Sequence, residues 1–217
     1  MRHGQVENPN RLRYGNLPGF PLSPRGRIQV ARTARSLQGR LPQPPLLLSS
    51  PLERAMETAQ ILGKCLQTRV CIDPRLREIG SRYDGLPWGF SPLAFWRRRI
   101  DPTFGGYDEP IPLAASRLLE SLREAQLAHP GEIVVVSHQL PLRAALLVLT
   151  QGLGALDGPL PAPLWLRLKQ PLALGYAEVV ELVESGEGRW RITGVFGPGE
   201  SPQAPAGLGG SVGISGF

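Results

Sequence analysis

Apolar positions in this chain follow two periods that alternate along its length. Short apolar runs recur in PPLLLSS (44–50), TRVCID (68–73) and EIVVVSH (132–138), bounded by Pro, Ser, Gly or Asp. Such runs are expected of strands covered on both faces. Helical spacing fills the intervals. RGRIQVARTARSL stands behind Ser23 and Pro24, an N-cap and a first-turn proline, and predicts a helix from Pro24 to about Gly39 with Ile28, Ala31, Ala34 and Leu37 on its apolar side. PLERAMETAQILGKCL predicts a second helix, with Pro51 in its first position. Leu113 to about His129 reads as a third, stopped by Pro130-Gly131, and PLRAALLVLTQGL (141–153) as a fourth.

Strands alternating with helices predict an α/β domain, a three-layer α/β/α sandwich on a mostly parallel sheet. Two late segments, ALGYAEVVELVE (173–184) and RWRITGVF (189–196), alternate about a Gly-rich turn and predict a β-hairpin. Residues 4–22 are rich in Gly, Pro and Asn and form a long loop. Residues 74–112 hold only one helix-like stretch, SPLAFWRRRI, and read as a binding loop. A single domain over 1–196 is expected, with a flexible Gly/Pro/Ser-rich tail over 197–217.

With 217 residues, 41% of them hydrophobic, one core is the simplest count. No apolar run approaches a membrane span and no signal-peptide pattern opens the chain, so no membrane partner and a cytoplasmic location are expected. The net charge of +6 raises the question of a polyanionic partner. Of 24 basic residues only Lys64 and Lys169 are lysines, yet the arginines are scattered and only Arg97-Arg98-Arg99 forms a run. Nucleic acid is therefore not expected. Cys65 and Cys71 fit neither a redox pair nor a disulfide framework. No paired-histidine spacing suggests a metal, since the histidines are His3, His129 and His138.

In open parallel sheets, ligands bind beyond the carboxyl ends of the strands. That rule brings particular residues together here. PPLLLSS ends just before Arg54, TRVCID shortly before Glu78, and EIVVVSH on His138; a strand ahead of Arg2 would end at His3. Two arginines, two histidines and a glutamate then converge on one edge. Such a set suits a phosphoryl group: guanidinium forks for its oxygens, a neutral imidazole as nucleophile, and a carboxyl to protonate a leaving alkoxide. Ser49, Ser50 and Ser137 read as strand-end or capping hydroxyls, and His129 as a surface residue at a helix end. Trp88, Phe90, Phe95 and Trp96 are either ordinary core or an apolar wall over the site.

These residues resemble the histidine phosphatase superfamily, the phosphoglycerate-mutase-like group, in its bacterial-type phosphatase branch. The resemblance rests on Arg2-His3-Gly4, LSPRG (22–26), SSPLERAMETA (49–59), LREI (76–79) and VVVSH (134–138), in the family's order over roughly residues 1–150. It implies a Rossmann-like sandwich and a phosphoryl-carrying His3. Arg2, Arg54 and His138 would complete the phosphate pocket, with Glu78 as acid and base and Asp84 as the alternative acid. Substrate contacts are assigned to Asn8, Asn10, Tyr14 and Gln139. The chain departs from the pattern at Val6 and Pro9, where the family favours a hydroxyl residue and Asn. Gln139 follows the second histidine, which places the acid in the middle of the chain. An apolar strand normally precedes Arg-His-Gly, whereas Met1 alone precedes it here, so the first strand is expected to be truncated before residue 1.

The function expected is a phosphomonoesterase needing no metal or other cofactor, acting on a small phosphate ester through phosphohistidine. The alternatives are a cofactor-dependent phosphoglycerate mutase and a non-catalytic phosphoryl-binding protein. The late hairpin offers an edge for pairing with a second copy, a homodimer.

Overall fold

A computed structural model describes residues 1–88, 106–151, 174–184 and 190–198. The main sheet contains β1 (Leu46–Ser49), β2 (Val70–Ile72) and β3 (Ile133–Val136), all parallel, in the order β2-β1-β3. Its register pairs Leu47 with Val70 on one side and with Val134 on the other. The helices are α1 (Pro24–Gln38), α2 (Glu53–Leu66), α3 (Ile111–Ala128) and α4 (Gln139–Gln151). A one-turn 3-10 helix at Pro74–Leu76 follows β2. The late hairpin is β4 (Val179–Glu184) against β5 (Trp190–Phe196), antiparallel and irregular between Glu181 and Leu182.

Side-chain alternation along the strands divides the core into two layers. Leu47, Val134 and Val136 pack with Val30, Ala34, Ala55, Ala59 and Leu62 of α1 and α2. Leu46, Leu48, Ile133 and Val135 face the other way, against the α3 and α4 layer that includes Ala114, Leu118, Ala144 and Leu147. This is the three-layer sandwich expected.

Several element edges differ from the sequence pattern for local reasons. Helix α2 starts at Glu53, because residues 51–52 are spent turning the chain out of β1. Helix α3 starts two residues earlier than Leu113, at Ile111, with Pro112 in its first turn. On α1 the buried stripe is Gly26, Val30, Thr33, Ala34 and Leu37, while Ile28 is 56% exposed. The helix is rotated from the expected face because its N-terminal turn lies directly on the Gly4–Gln5 backbone. A Cβ on Gly4 would stand 2.7 Å from Val30 Cγ2 and 2.8 Å from the Gly26 carbonyl oxygen. The SPLAFWRRRI stretch, Phe90, Phe95, Trp96 and residues 199–217 lie outside the described residues.

Residues 1–3 extend the sheet beside β3. Arg2 bridges Ser137 in parallel, His3 N donates to Ser137 O (3.1 Å) and Ser137 N donates to Met1 O (3.1 Å). On their other side, Arg2 N donates to Glu178 O and Ala177 N to His3 O, which joins the hairpin's approach to the sheet. The Met1 amino group donates to Val135 O at 2.8 Å, and burial lowers its pKa from 8.0 to about 5.

Candidate active site

The carboxyl ends of the strands gather the charged residues. His3 leaves the residue 1–3 extension, His138 follows β3, Arg54 sits in the first turn of α2 after β1, and Glu78 follows the 3-10 turn behind β2. Arg2, His3, Arg54 and His138 are all buried, at 8%, 2%, 1% and 0% exposure. Charged groups are rarely buried to this degree without partners.

The imidazoles stand 5.2 Å apart between ring centroids, tilted by 55°. His3 Nδ1 lies 2.8 Å from Gly4 O. A carbonyl can only accept, so Nδ1 carries the ring proton and Nε2 presents its lone pair. Gly4 is fixed in turn: its N–H donates to Thr58 Oγ1 (3.2 Å), and that hydroxyl donates to Arg54 O (2.7 Å) on α2. His138 Nε2 lies 2.7 Å from Ser50 Oγ, while its Nδ1 is buried without a partner. Ser50 is thus more than the capping hydroxyl its position suggested.

Arg2 donates through Nη1 to Leu174 O (2.7 Å), and Arg54 through Nη2 to Gly15 O (2.5 Å). The Nε atoms of both arginines are buried and unpartnered. Three nitrogens of the convergent set are thus buried without a partner, where a buried polar group usually finds one.

Burial, then the positive charges of Arg54 and Arg2, holds the His3 pKa well below the usual imidazole value. His138 is lowered by burial, Arg54 and His3. For His138, assigned to the phosphate pocket, this environment favours the uncharged ring. Glu78 is shifted the opposite way. Burial raises its pKa against the pull of the Ile79 N–H, Arg54 and Arg2. The two imidazoles and the carboxyl therefore all favour their uncharged forms.

Asp84, the alternative acid, is near enough to Arg54 to interact with its charge and is also bonded to backbone N–H groups. Its Oδ2 accepts from Asn16 N and Ser81 N, both at 3.2 Å, and it braces Gly15, whose φ is +26°. Burial and Asp108 raise its pKa as well.

A cleft of about 350 Å³ opens beside the pocket, lined by Arg2, Asn8, Tyr14, Trp88, Gln139 and Tyr176 among others. Asn8 faces it, although its side-chain amide is already bonded to Leu12 N and O. Gln139 faces it with its side-chain amide beside the Arg143 guanidinium. Asn10 is exposed in the turn of residues 9–10 and does not line the cleft. Trp88 is 61% exposed at the rim, with the Arg13 guanidinium over its ring at 4.7 Å. Sequence reasoning missed Tyr176, which lies in the segment read as the first hairpin strand. Its signal was faint: Gly175 before it, and a break in alternation at Ala177, whose φ is +59°. Among the described residues, no group of three or more metal-ligating side chains occurs, and no helix is long and apolar enough to cross a membrane.

The profile of the histidine phosphatase superfamily (branch 1) matches residues 1–159. An uncharacterized protein of Mycobacterium tuberculosis is 36% identical over 157 residues, covering 69% of this chain and 76% of its own length. A glucosyl-3-phosphoglycerate phosphatase of Mycolicibacterium vanbaalenii is 42% identical over 78 residues, or 36% of this chain and 34% of that one. Among solved structures, the mycobacterial glucosyl-3-phosphoglycerate phosphatase in complex with VO3 superposes with a TM-score of 0.68 at 28% identity, covering 88% of this chain and 94% of that one.

Proposed function

The chain belongs to the histidine phosphatase superfamily, branch 1, and from that premise we propose that it hydrolyses small phosphomonoesters through a phosphohistidine on His3. The observation that carries this reading is the fixed His3 tautomer beside two guanidinium groups. Nδ1 is committed to Gly4 O, so the lone pair on Nε2 is available at a neutral ring, the form in which imidazole is nucleophilic. Arg2 and Arg54 lie close enough to lower the ring's pKa, and the His138 ring stands 5.2 Å away.

Water is the one co-reactant the steps require. His3 Nε2 attacks phosphorus as the ester P–O bond breaks, and Glu78 gives its proton to the departing alkoxide. Arg2 and Arg54 offset the charge on the phosphoryl oxygens. The Ser50 hydroxyl donates to His138 Nε2, which leaves His138 with its proton on Nδ1 as a further donor. Water then attacks phosphorus, the P–N bond breaks, and the Glu78 carboxylate takes the water's proton. Inorganic phosphate leaves, and His3 returns to its neutral tautomer.

The test is hydrolysis of p-nitrophenyl phosphate in the presence of a chelator, with acid quenching to trap labelled phosphohistidine. Activity that survives chelation and falls roughly 10³-fold or more in His3→Ala is expected. No hydrolysis, or a His3→Ala variant as active as the parent, would overturn the reading. Phosphoserine and glucosyl-3-phosphoglycerate, the compounds in the names of relatives, belong in the substrate panel. Paired 2,3-bisphosphoglycerate and 3-phosphoglycerate test for mutase activity.

A further inference from the structure

Matching devices hold the two arginines of the site. The Arg2 guanidinium lies over the Tyr176 ring, 4.1 Å from its centroid, and donates to Leu174 O. The Arg54 guanidinium lies over the Tyr14 ring at 4.7 Å and donates to Gly15 O. In each case the carbonyl lies within two residues of the tyrosine. The two phenolic oxygens then meet at 3.4 Å. Turns from opposite ends of the chain thus close beside His3, whose ring lies 6.4 Å from Tyr14 and 5.9 Å from Tyr176.

A guanidinium binds a tetrahedral anion well only when the plane of its fork is fixed, and a free arginine side chain has several soft torsions. Here one face rests on an aromatic ring and one nitrogen is tied to a carbonyl, while Nε remains unpartnered. Burial and the neighbouring Tyr176 raise the Tyr14 phenol above its ordinary pKa, so it stays protonated while it touches the second hydroxyl.

We propose that Tyr14 and Tyr176 form an aromatic bracket that orients the Arg2 and Arg54 forks toward phosphoryl oxygens. They are positioning residues that act through the arginines. The inference rests on the reading that this pocket receives the phosphoryl group. The bracket joins the late hairpin to phosphate binding, since Tyr176 lies on the turn that leads into β4.

The test is binding of inorganic phosphate, followed by phosphorus NMR titration, with thermal melting as the check on folding. Tyr176→Leu should weaken binding roughly 10- to 30-fold, the scale of a desolvated cation–π contact. Tyr176→Phe keeps the aromatic face and should stay within about threefold. In an Arg2→Lys background, Tyr176→Leu should cost less than about threefold more, because its effect passes through the fork already lost. Equal losses in both backgrounds, or a folded Tyr176→Leu variant with parental affinity, would overturn the bracket. Should Tyr176→Leu fail to fold, Tyr14→Leu against Arg54→Lys makes the same measurement on the other arm. A parent protein that binds phosphate with these dependences but hydrolyses no ester refutes the hydrolase reading and leaves the bracket standing. Parental hydrolysis with unchanged leucine variants does the reverse.

Discussion

His3 and His138 face each other at 5.2 Å, yet neither ring is held in its charged form. This carries a consequence for stability. Below the ordinary imidazole pKa of 6.5, the unfolded chain protonates both rings while the folded chain resists. Stability should therefore fall as pH drops from 6.5, by up to about 1.4 kcal/mol per unit for each ring. Glu78, raised from 4.5, opposes them as pH falls toward that value, because its protonated form is favoured on folding. A bound phosphate dianion should lessen the acid loss by stabilising protonated imidazole. Urea midpoints at pH 7.5 and 5.5, with and without phosphate, measure this; equal midpoints at the two pH values would refute it.

Glu78 and Asp84 can be separated by the pH dependence of turnover. A protonated general acid is lost as pH rises through its pKa, and burial places that of Glu78 above 4.5. Glu78→Gln should reduce kcat roughly 10²- to 10⁴-fold and abolish the alkaline limb. Asp84→Asn should keep that limb while lowering melting temperature, because Asp84 braces Asn16 and Ser81. If the alkaline limb vanishes in Asp84→Asn and persists in Glu78→Gln, the assignment is reversed.

Ser50 is the only partner described for His138 Nε2. Removing its hydroxyl leaves a buried ring nitrogen without a hydrogen bond and releases the ring's orientation. Ser50→Ala should lower kcat about 10-fold, in keeping with one hydrogen bond of about 1.4 kcal/mol. Ser49→Ala is the control, since among the described residues its hydroxyl bonds only the Ser50 carbonyl, at 3.0 Å. Equal kinetics for the two variants would remove Ser50 from the site.

The convergence of His3, Arg54, Glu78 and His138 was legible because polar residues that end apolar strands of a parallel sheet must meet at one edge. The two core layers were likewise implied by strands covered on both faces. Tyr176 could not be read in the same way. Its placement depends on a left-handed residue at Ala177 (φ +59°) and on where β4 begins, neither of which alternation encodes. The exposure of Ile28 was also hidden, because the rotation of α1 is set by contact between two backbones and not by its own apolar spacing.

That contact gives the sharpest structural test. Gly26 lies inside α1, where replacing Gly by Ala normally gains about 0.5–1 kcal/mol of helix stability. A Cβ at this position would overlap the carbonyl oxygen of Gln5, a backbone atom adjoining Gly4 that cannot swing aside as a side chain could. Overpacking of this kind costs about 1–3 kcal/mol, so the contact outweighs the propensity. Gly26→Ala should lower melting temperature, and it should also lower kcat, because the displaced Gly4–Gln5 segment carries the carbonyl that fixes the His3 tautomer. Gly39→Ala is the comparison: its φ is −73° and an added Cβ meets nothing closer than 3.8 Å. That variant should be as stable as the parent or slightly more so, with unchanged kcat. A Gly26→Ala protein as stable and active as Gly39→Ala would show that α1 does not brace the nucleophile.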